Sequence, residues 1–211
     1  MKIGIVGAGM IGSTLATLFT RAGHEVALAN SRGPETLAGT VAELGPTARA
    51  ATVAEAASFG EVVVVAIPLK AYPALPAEPF AGRIVVDANN YYPQRDGQIA
   101  ELDAKTATST ELLARHLERA RVVKAFNTIY FEHLRDRGDT AAPARDRLAI
   151  PIAGDDAAAK ATLTDLIDQI GFSAVDTGTL ADSWRQEPGT PVYGAEVQPD
   201  QATVLLAQAT R

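Results

Sequence analysis

The residues best suited to chemistry in this 211-residue chain lie near its start, in the run Gly7-Ala8-Gly9-Met10-Ile11-Gly12. This is a G-x-G-x-x-G turn, and each glycine has a separate task in holding a dinucleotide. Gly7 permits the tight turn, Gly9 lets the backbone approach a pyrophosphate, and Gly12 lets the next helix pack closely on the strand. The free N–H groups and positive dipole at that helix N-terminus then receive the phosphates. Glycine turns of this spacing are common, so the context carries the argument. Residues 2–6 form a β-branched apolar run that reads as a buried parallel strand, residues 13–22 have helical spacing closed by Gly23, and residues 24–29 read as a second strand.

The end of that second strand indicates which dinucleotide is expected. An NAD site commonly places Asp or Glu about 20 residues beyond the glycines, where the carboxylate bonds the ribose 2′-hydroxyl. Here the chain reads Asn30-Ser31-Arg32. No carboxylate repels a 2′-phosphate, Ser31 can donate to it, and Arg32 offers a planar fork of donors that can also stack on adenine. NADP(H) is the expected cofactor.

Three further strand ends supply candidate groups. Ala66-Ile67-Pro68 is small and apolar, suited to packing against a nicotinamide ring; Ala88-Asn89-Asn90 and Asn127-Thr128-Ile129 bring amides and a hydroxyl that could hold ribose and carboxamide. Asx residues are also ordinary turn formers, so the gathering of three such loops at one rim is the stronger signal. Tyr91, Tyr92, Tyr130 and Phe131 could form an aromatic wall there. His24 reads as structural and His116 as exposed, while His133 lies close enough to the rim to reach a second cofactor or its phosphate. Glu61 and Asp87 show no metal-ligand spacing, and no metal motif is present. The lack of an evident acid–base dyad is compatible with hydride transfer, in which the cofactors carry the reaction and the protein supplies orientation and electrostatics.

These groups must be positioned by the elements between them. Strand-like runs at 2–6, 24–29, 47–51, 61–67, 83–88, 121–126, 148–153 and 172–177 alternate with helical segments at 13–22, 33–45, 53–59 and 157–170. The expected fold is therefore α/β, a Rossmann-type doubly wound, mostly parallel sheet of about eight strands with helices on both faces. Any ligand should lie at the carboxyl ends of the strands, near the switch point. Pro151 suggests a place near the sheet edge. Residues 137–147 read as a mobile loop. Residues 1–180 read as one nucleotide-binding domain, with 181–211 an extension packed on it or a loose tail.

Composition narrows the classes of function. The chain is 47% hydrophobic with a formal net charge of −6 and no cysteine. It can bury one sizeable core, and a negative balance argues against nucleic acid as a main partner. No apolar run approaches the roughly 18 residues needed to span a bilayer. Thiolate metal sites and a Cys nucleophile are excluded. The expectation is a cytoplasmic protein whose partners are small redox molecules, with neither nucleic acid nor membrane involved.

The blocks GIVGAGMIGSTLA, ANSRGPE, VVVVAIP, VVDANNYY, VVKAFNTI and PIAGDD, in this order and spacing, resemble the NADP oxidoreductases that use the deazaflavin coenzyme F-420. They are also similar to the NADPH–flavin domain of the six-transmembrane metalloreductases. The resemblance covers about residues 1–180. It implies a compact Rossmann-type domain, often a homodimer, with NADPH across the strand ends and a second flat cofactor, F-420 or FMN, stacked near the nicotinamide. It matches Ser31 and Arg32 to the 2′-phosphate binders and Ile67 and Pro68 to the nicotinamide wall. Asn127, Thr128 and Ile129 match the segment that faces the hydride-transfer site. The deazaflavin reductases often carry histidine at the position of Asn127, whereas the metalloreductase branch carries asparagine, so the acceptor stays open between deazaflavin and flavin. Reduction of a small carbonyl or imine and a non-catalytic NADPH-sensing module are the alternatives. Residues 185–194 lie outside the matched part.

Arg32→Ala is expected to weaken NADPH binding far more than NADH binding in paired titrations; an equal loss for both would remove Arg32 from the 2′-phosphate site.

Overall fold

Eight short apolar runs become the strands β1 (Lys2–Val6), β2 (Glu25–Ala29), β3 (Ala48–Ala51), β4 (Val62–Val65), β5 (Ile84–Asp87), β6 (Arg121–Lys124), β7 (Ala149–Gly154) and β8 (Ser173–Gly178) of one sheet. A computed structural model describes residues 1–211. The strand order is β3-β2-β1-β4-β5-β6-β7-β8, and the first six strands are parallel throughout. The switch point falls between β1 and β4, as a doubly wound sheet requires.

Helices α1 (Met10–Arg21), α2 (Ala38–Leu44), α3 (Val53–Phe59), α4 (Pro93–Asp96), α5 (Ala100–Asp103), α6 (Ser109–His116), α7 (Phe131–Asp136), α8 (Ala157–Gln169) and α9 (Pro199–Gln208) complete the chain. Successive strand residues point to opposite faces, so one apolar run feeds two cores. Val62 and Val64 pack with Leu15 and Phe19 of α1 and Leu163 of α8. Val63 and Val65 pack with Ala56 of α3 and Leu113 of α6 on the other face. This two-sided burial is why β4 is valine at every position.

The sheet departs from a uniform parallel pattern at β7, which pairs antiparallel with β6 through Val123↔Gly154 and Lys124↔Ala153. β7 is the second strand from the edge, and Pro151 lies beyond the end of its pairing with β6, where its missing N–H costs no ladder bond. The Pro151 carbonyl accepts instead from Gln186 Nε2 at 2.9 Å.

Other segments differ from their sequence reading. The expected helix over 33–45 is divided into a 3-10 turn, Pro34–Leu37, and α2. Residues 137–147 are stitched down: the Asp139 N–H donates to the Gly171 carbonyl at 2.9 Å. Arg147 donates to the Ala142 carbonyl at 2.8 Å and the Asp168 carboxylate at 2.7 Å. In the C-terminal segment, Ala202 and Leu206 of α9 pack on Ala149 and Val175. No helix is long and apolar enough to cross a membrane.

His24 is buried beneath β2 with its ring edge-on to Phe19 at 6.0 Å. Burial, reinforced by the nearby amino terminus, holds its imidazole below the ordinary value of 6.5. The unfolded chain therefore binds the proton more readily, so this contribution to stability is complete above that value and is lost as pH falls through it. Between about pH 7.5 and about pH 5.5 the urea midpoint of the native protein is expected to fall more than that of His24→Leu. Equal declines would assign the loss to other groups.

Candidate active site

The glycine turn joins β1 to α1, and its three glycines are held to three different requirements. Gly7 has φ +112°, and a Cβ there would stand 2.1 Å from the Ala66 carbonyl oxygen. A Cβ on Gly12 would stand 1.8 Å from the Gly7 carbonyl oxygen, whereas one on Gly9 would meet nothing within 4 Å. Packing of the protein itself thus demands Gly7 and Gly12. Gly9 keeps open the space that a phosphate group would need. Gly9 is also the N-cap of α1, with no side-chain cap and no acidic residue in the first turn. Helices α3 and α6, in contrast, carry complete capping boxes. The α1 N-terminus is left with free donors and an uncompensated dipole, the local arrangement that suits a pyrophosphate.

Two clefts flank this turn. One, of about 430 Å³, runs from Gly7, Ala8 and Gly9 to Asn30, Ser31 and Arg32. Asn30 shapes its far end: Oδ1 accepts from the Arg32 N–H and Nδ2 donates to Thr36 Oγ1, each at 2.9 Å, leaving the Ser31 and Arg32 side chains exposed. The other cleft, of about 360 Å³, is bounded by Met10, Ile11, Ala88, Asn89, Asn127 and Ile129, among others. The two share Gly9, Ala66, Ile67 and Pro68 as a common wall. Asn89 Oδ1 accepts from the Ile67 N–H at 2.8 Å, fixing that wall. The Asn89 Nδ2, in a residue only 2% exposed, has no partner. An unused buried donor beside the shared wall is the kind of group a bound dinucleotide would satisfy.

Beneath the clefts lies an ion pair that the sequence reading passed over. Asp87 and Lys124 stand opposite each other in the β5–β6 register, and both side chains are completely buried. Lys124 Nζ donates to Asp87 Oδ2 at 3.1 Å, to the Asn89 carbonyl at 2.5 Å and to Ser109 Oγ at 3.1 Å. Asp87 also accepts from Thr110 Oγ1 at 2.7 Å and from the Asn89 N–H at 3.0 Å. Every ammonium proton has an acceptor, which is what makes such burial tolerable.

Asn127 is equally committed. Its Nδ2 donates to Asn90 Oδ1 at 3.1 Å and to the Gln186 carbonyl at 2.6 Å, while Oδ1 accepts from Gln186 Nε2 at 3.0 Å. The side chain fixes the rim and presents its edge to the cleft. Phe126, just before it, is buried at φ +61°. Left-handed backbone at a bulky residue stores strain, of the kind that accumulates at functional sites. Thr128 lines neither cleft; its carbonyl accepts from the Gly194 N–H at 2.8 Å.

The aromatic wall forms with one substitution in its membership. Tyr92, Tyr130 and Phe131 line the smaller cleft, joined by Tyr193. Tyr91 turns away, its hydroxyl bonded to Asp103 at 2.7 Å. His133 lies outside both clefts, 3.3 Å from the Glu196 carboxylate. His116 is half-buried rather than exposed, its Nε2 2.8 Å from the Leu75 carbonyl. Gln186 and Tyr193 come from the segment that could not be matched, and nothing in its local pattern marks them. Lys124 left a signal: a lysine inside the apolar run VVKAF, facing an aspartate at the same point of the neighbouring run.

A family model described as NADP oxidoreductase, coenzyme F-420-dependent, matches residues 2–91. Among solved structures, a hypothetical protein from Sinorhizobium meliloti is 32% identical with a TM-score of 0.81, over 94% of this chain and 95% of that one. A protein from an Arthrobacter species, assigned as an F-420-dependent NADP reductase, is 30% identical with a TM-score of 0.73, over 87% of each chain. Metalloreductase STEAP3 from Rattus norvegicus is 33% identical over 182 residues, 85% of this chain but only 34% of that protein. The chain thus spans about a third of that relative's length.

Lys124→Met is expected to destabilise the fold by about 3–5 kcal/mol in urea titration, because it strands a buried carboxylate. Adding Asp87→Asn should recover part of the loss. A loss below about 1 kcal/mol, the scale of an exposed pair, would show the interaction to be dispensable.

Proposed function

From the premise that the chain belongs to the coenzyme F-420-dependent NADP oxidoreductases, we propose that it transfers a hydride between NADPH and the flat ring of a deazaflavin or flavin. One observation carries this reading: two clefts of different chemistry meet on the shared wall Gly9, Ala66, Ile67 and Pro68. The larger has a glycine-turn helix N-terminus at one end and Ser31 and Arg32 at the other, the donor set for a pyrophosphate and a 2′-phosphate. The smaller is walled by Tyr92, Tyr130, Phe131 and Tyr193, a surface suited to stacking a planar ring.

In this reading Ile67 and Pro68 back the nicotinamide, the free Asn89 amide binds the nucleotide, and Asn127 and Ile129 set the floor on which the acceptor rests. NADPH, when bound, supplies the hydride, and the acceptor takes it together with a proton from water. The protein contributes position, which suffices where the cofactors hold the reactivity.

The smaller cleft also bears on the competing class of acceptors. Arg95 is its single cation, and Arg95 Nε and Nη2 are bonded to the Asp96 carboxylate at 3.0 and 2.8 Å. A carboxylate-bearing hydroxyacid substrate would therefore compete with Asp96 for the one countercharge in the cleft, whereas a neutral ring would need none.

The test is anaerobic NADPH oxidation with F-420 and FMN supplied separately. Reduction of either supports the proposal and selects the branch. NADPH binding with neither acceptor reduced would overturn it.

A further inference from the structure

Within the hydride-transfer reading, on which this inference rests, we infer that the hydrogen-bonded hydroxyls of Tyr92 and Tyr193 keep one O–H for the cleft, and that this donor fixes the polar edge of the acceptor. The ligand of the smaller cleft is accordingly an uncharged heteroaromatic ring bearing a ring carbonyl. Tyr193 arrives from the C-terminal segment, and its position follows from a backbone bond, the Gly194 N–H to the Thr128 carbonyl at 2.8 Å. Its hydroxyl lies in the wall of the cleft and is hydrogen-bonded to the hydroxyl of Tyr92.

Counting protons identifies which groups remain for a ligand. A phenol has one proton to give and two lone pairs to receive. Two phenols joined by one hydrogen bond use one proton between them, so one O–H is left over. Asn90 Nδ2 lies 3.5 Å from the Tyr193 oxygen and can only donate. Either phenol can be the donor of the bond between them, and Asn90 donates to the Tyr193 oxygen in both cases, so the leftover proton belongs to the pair. No protein acceptor other than Tyr92 is bonded to either hydroxyl. The free proton belongs to the cleft.

The surroundings keep that donor neutral and steady. Burial, followed by the Tyr92 hydroxyl, pushes ionisation of Tyr193 well above its ordinary value, so it keeps its proton at any working pH. Arg95 lines the cleft and is held in place: its guanidinium lies 4.9 Å from the Tyr92 ring centre, and Nη2 donates to the Asn90 carbonyl at 2.7 Å. Asp96, which neutralises Arg95, takes the Tyr92 N–H at 3.0 Å. The arginine thus braces Tyr92 and Asn90, the two groups that orient Tyr193. A neutral donor beside an arginine already paired with Asp96 suits a ring carbonyl better than a carboxylate, which would have to compete with Asp96 for the guanidinium.

The experiment compares native protein, Tyr92→Phe, Tyr193→Phe and the double variant, each loaded with NADP+ and titrated with FMN or F-420 by fluorescence, followed by NADPH turnover with the same acceptors. The double variant should raise the acceptor Kd and KM about tenfold, the loss of one good hydrogen bond. NADPH affinity should be unchanged. Each single variant should have a smaller effect in the same direction, because the phenol that remains still has a proton to give. An unchanged acceptor Kd in the double variant, or a parallel loss of NADPH binding, overturns the inference. Native protein that transfers hydride without dependence on the two phenols keeps the hydride reading and discards this one. Native protein that binds the acceptor through them but transfers no hydride does the reverse. Failure of the native protein to bind either acceptor overturns both.

Discussion

The buried pair between Asp87 and Lys124 is the constraint on which the site depends. It crosses from β5 to β6 at the carboxyl end of the sheet, where both side chains are fully removed from water. An ammonium in that position is tolerated only if each proton finds an acceptor, and the three found are on three different elements. Asp87 lies on the neighbouring strand, the Asn89 carbonyl opens the loop after it, and Ser109 starts α6. Satisfying one charge therefore fixes a strand end, a loop and a helix start together. The Asn89 side chain then passes the constraint to the shared wall of the two clefts through the Ile67 N–H. By comparison, the Arg119–Glu78 pair, 67% and 83% exposed, joins its partners at similar distance and positions nothing in the site.

A second constraint enters from the far end of the chain. Ser109, already an acceptor for Lys124, donates its N–H and hydroxyl to Glu187 at 2.8 and 2.9 Å. The preceding residue, Gln186, is fully buried and holds Asn127 on one side and the Pro151 carbonyl on the other. Two adjacent residues of the C-terminal segment thus bind both halves of the rim. The segment that completes the smaller cleft is tied to the same polar network that supports the wall shared by the two clefts.

These two constraints explain which parts of the protein were legible in the sequence. Periodicity reports what a side chain buries against, so β4 and α3 could be read from their own residues, and α3 keeps the bounds expected of it. The glycine turn was legible because its requirements are local: a positive φ at Gly7 and contact distances at Gly12. The polar network was not, because its partners are far apart in sequence. Asn127 meets Gln186 across 59 residues and Asn90 meets Tyr193 across 103. The amides of the rim were noticed, yet their commitment to one another depends on register and on where the tail returns. Tyr91 and Tyr92 show the same limit: adjacent and alike in sequence, one faces the cleft and the other closes the loop before α5.

The same segment shows how a chain of this size completes the wall of its smaller cleft. The stretch from Gln186 to Gly194 contributes Tyr193, beside Tyr130 and Phe131 at the start of α7. Because that stretch must also satisfy buried groups, it cannot be rebuilt freely. Its Gln186 is consumed by Asn127 and its Glu187 by Ser109, which leaves Tyr193 as its polar side chain in the cleft wall. The strain at Phe126 fits the same account. A left-handed turn immediately after β6 turns Asn127 toward the incoming tail rather than along the strand direction. Relaxing that turn would release Asn127 from Gln186, so the local cost at one residue is offset by the network it completes.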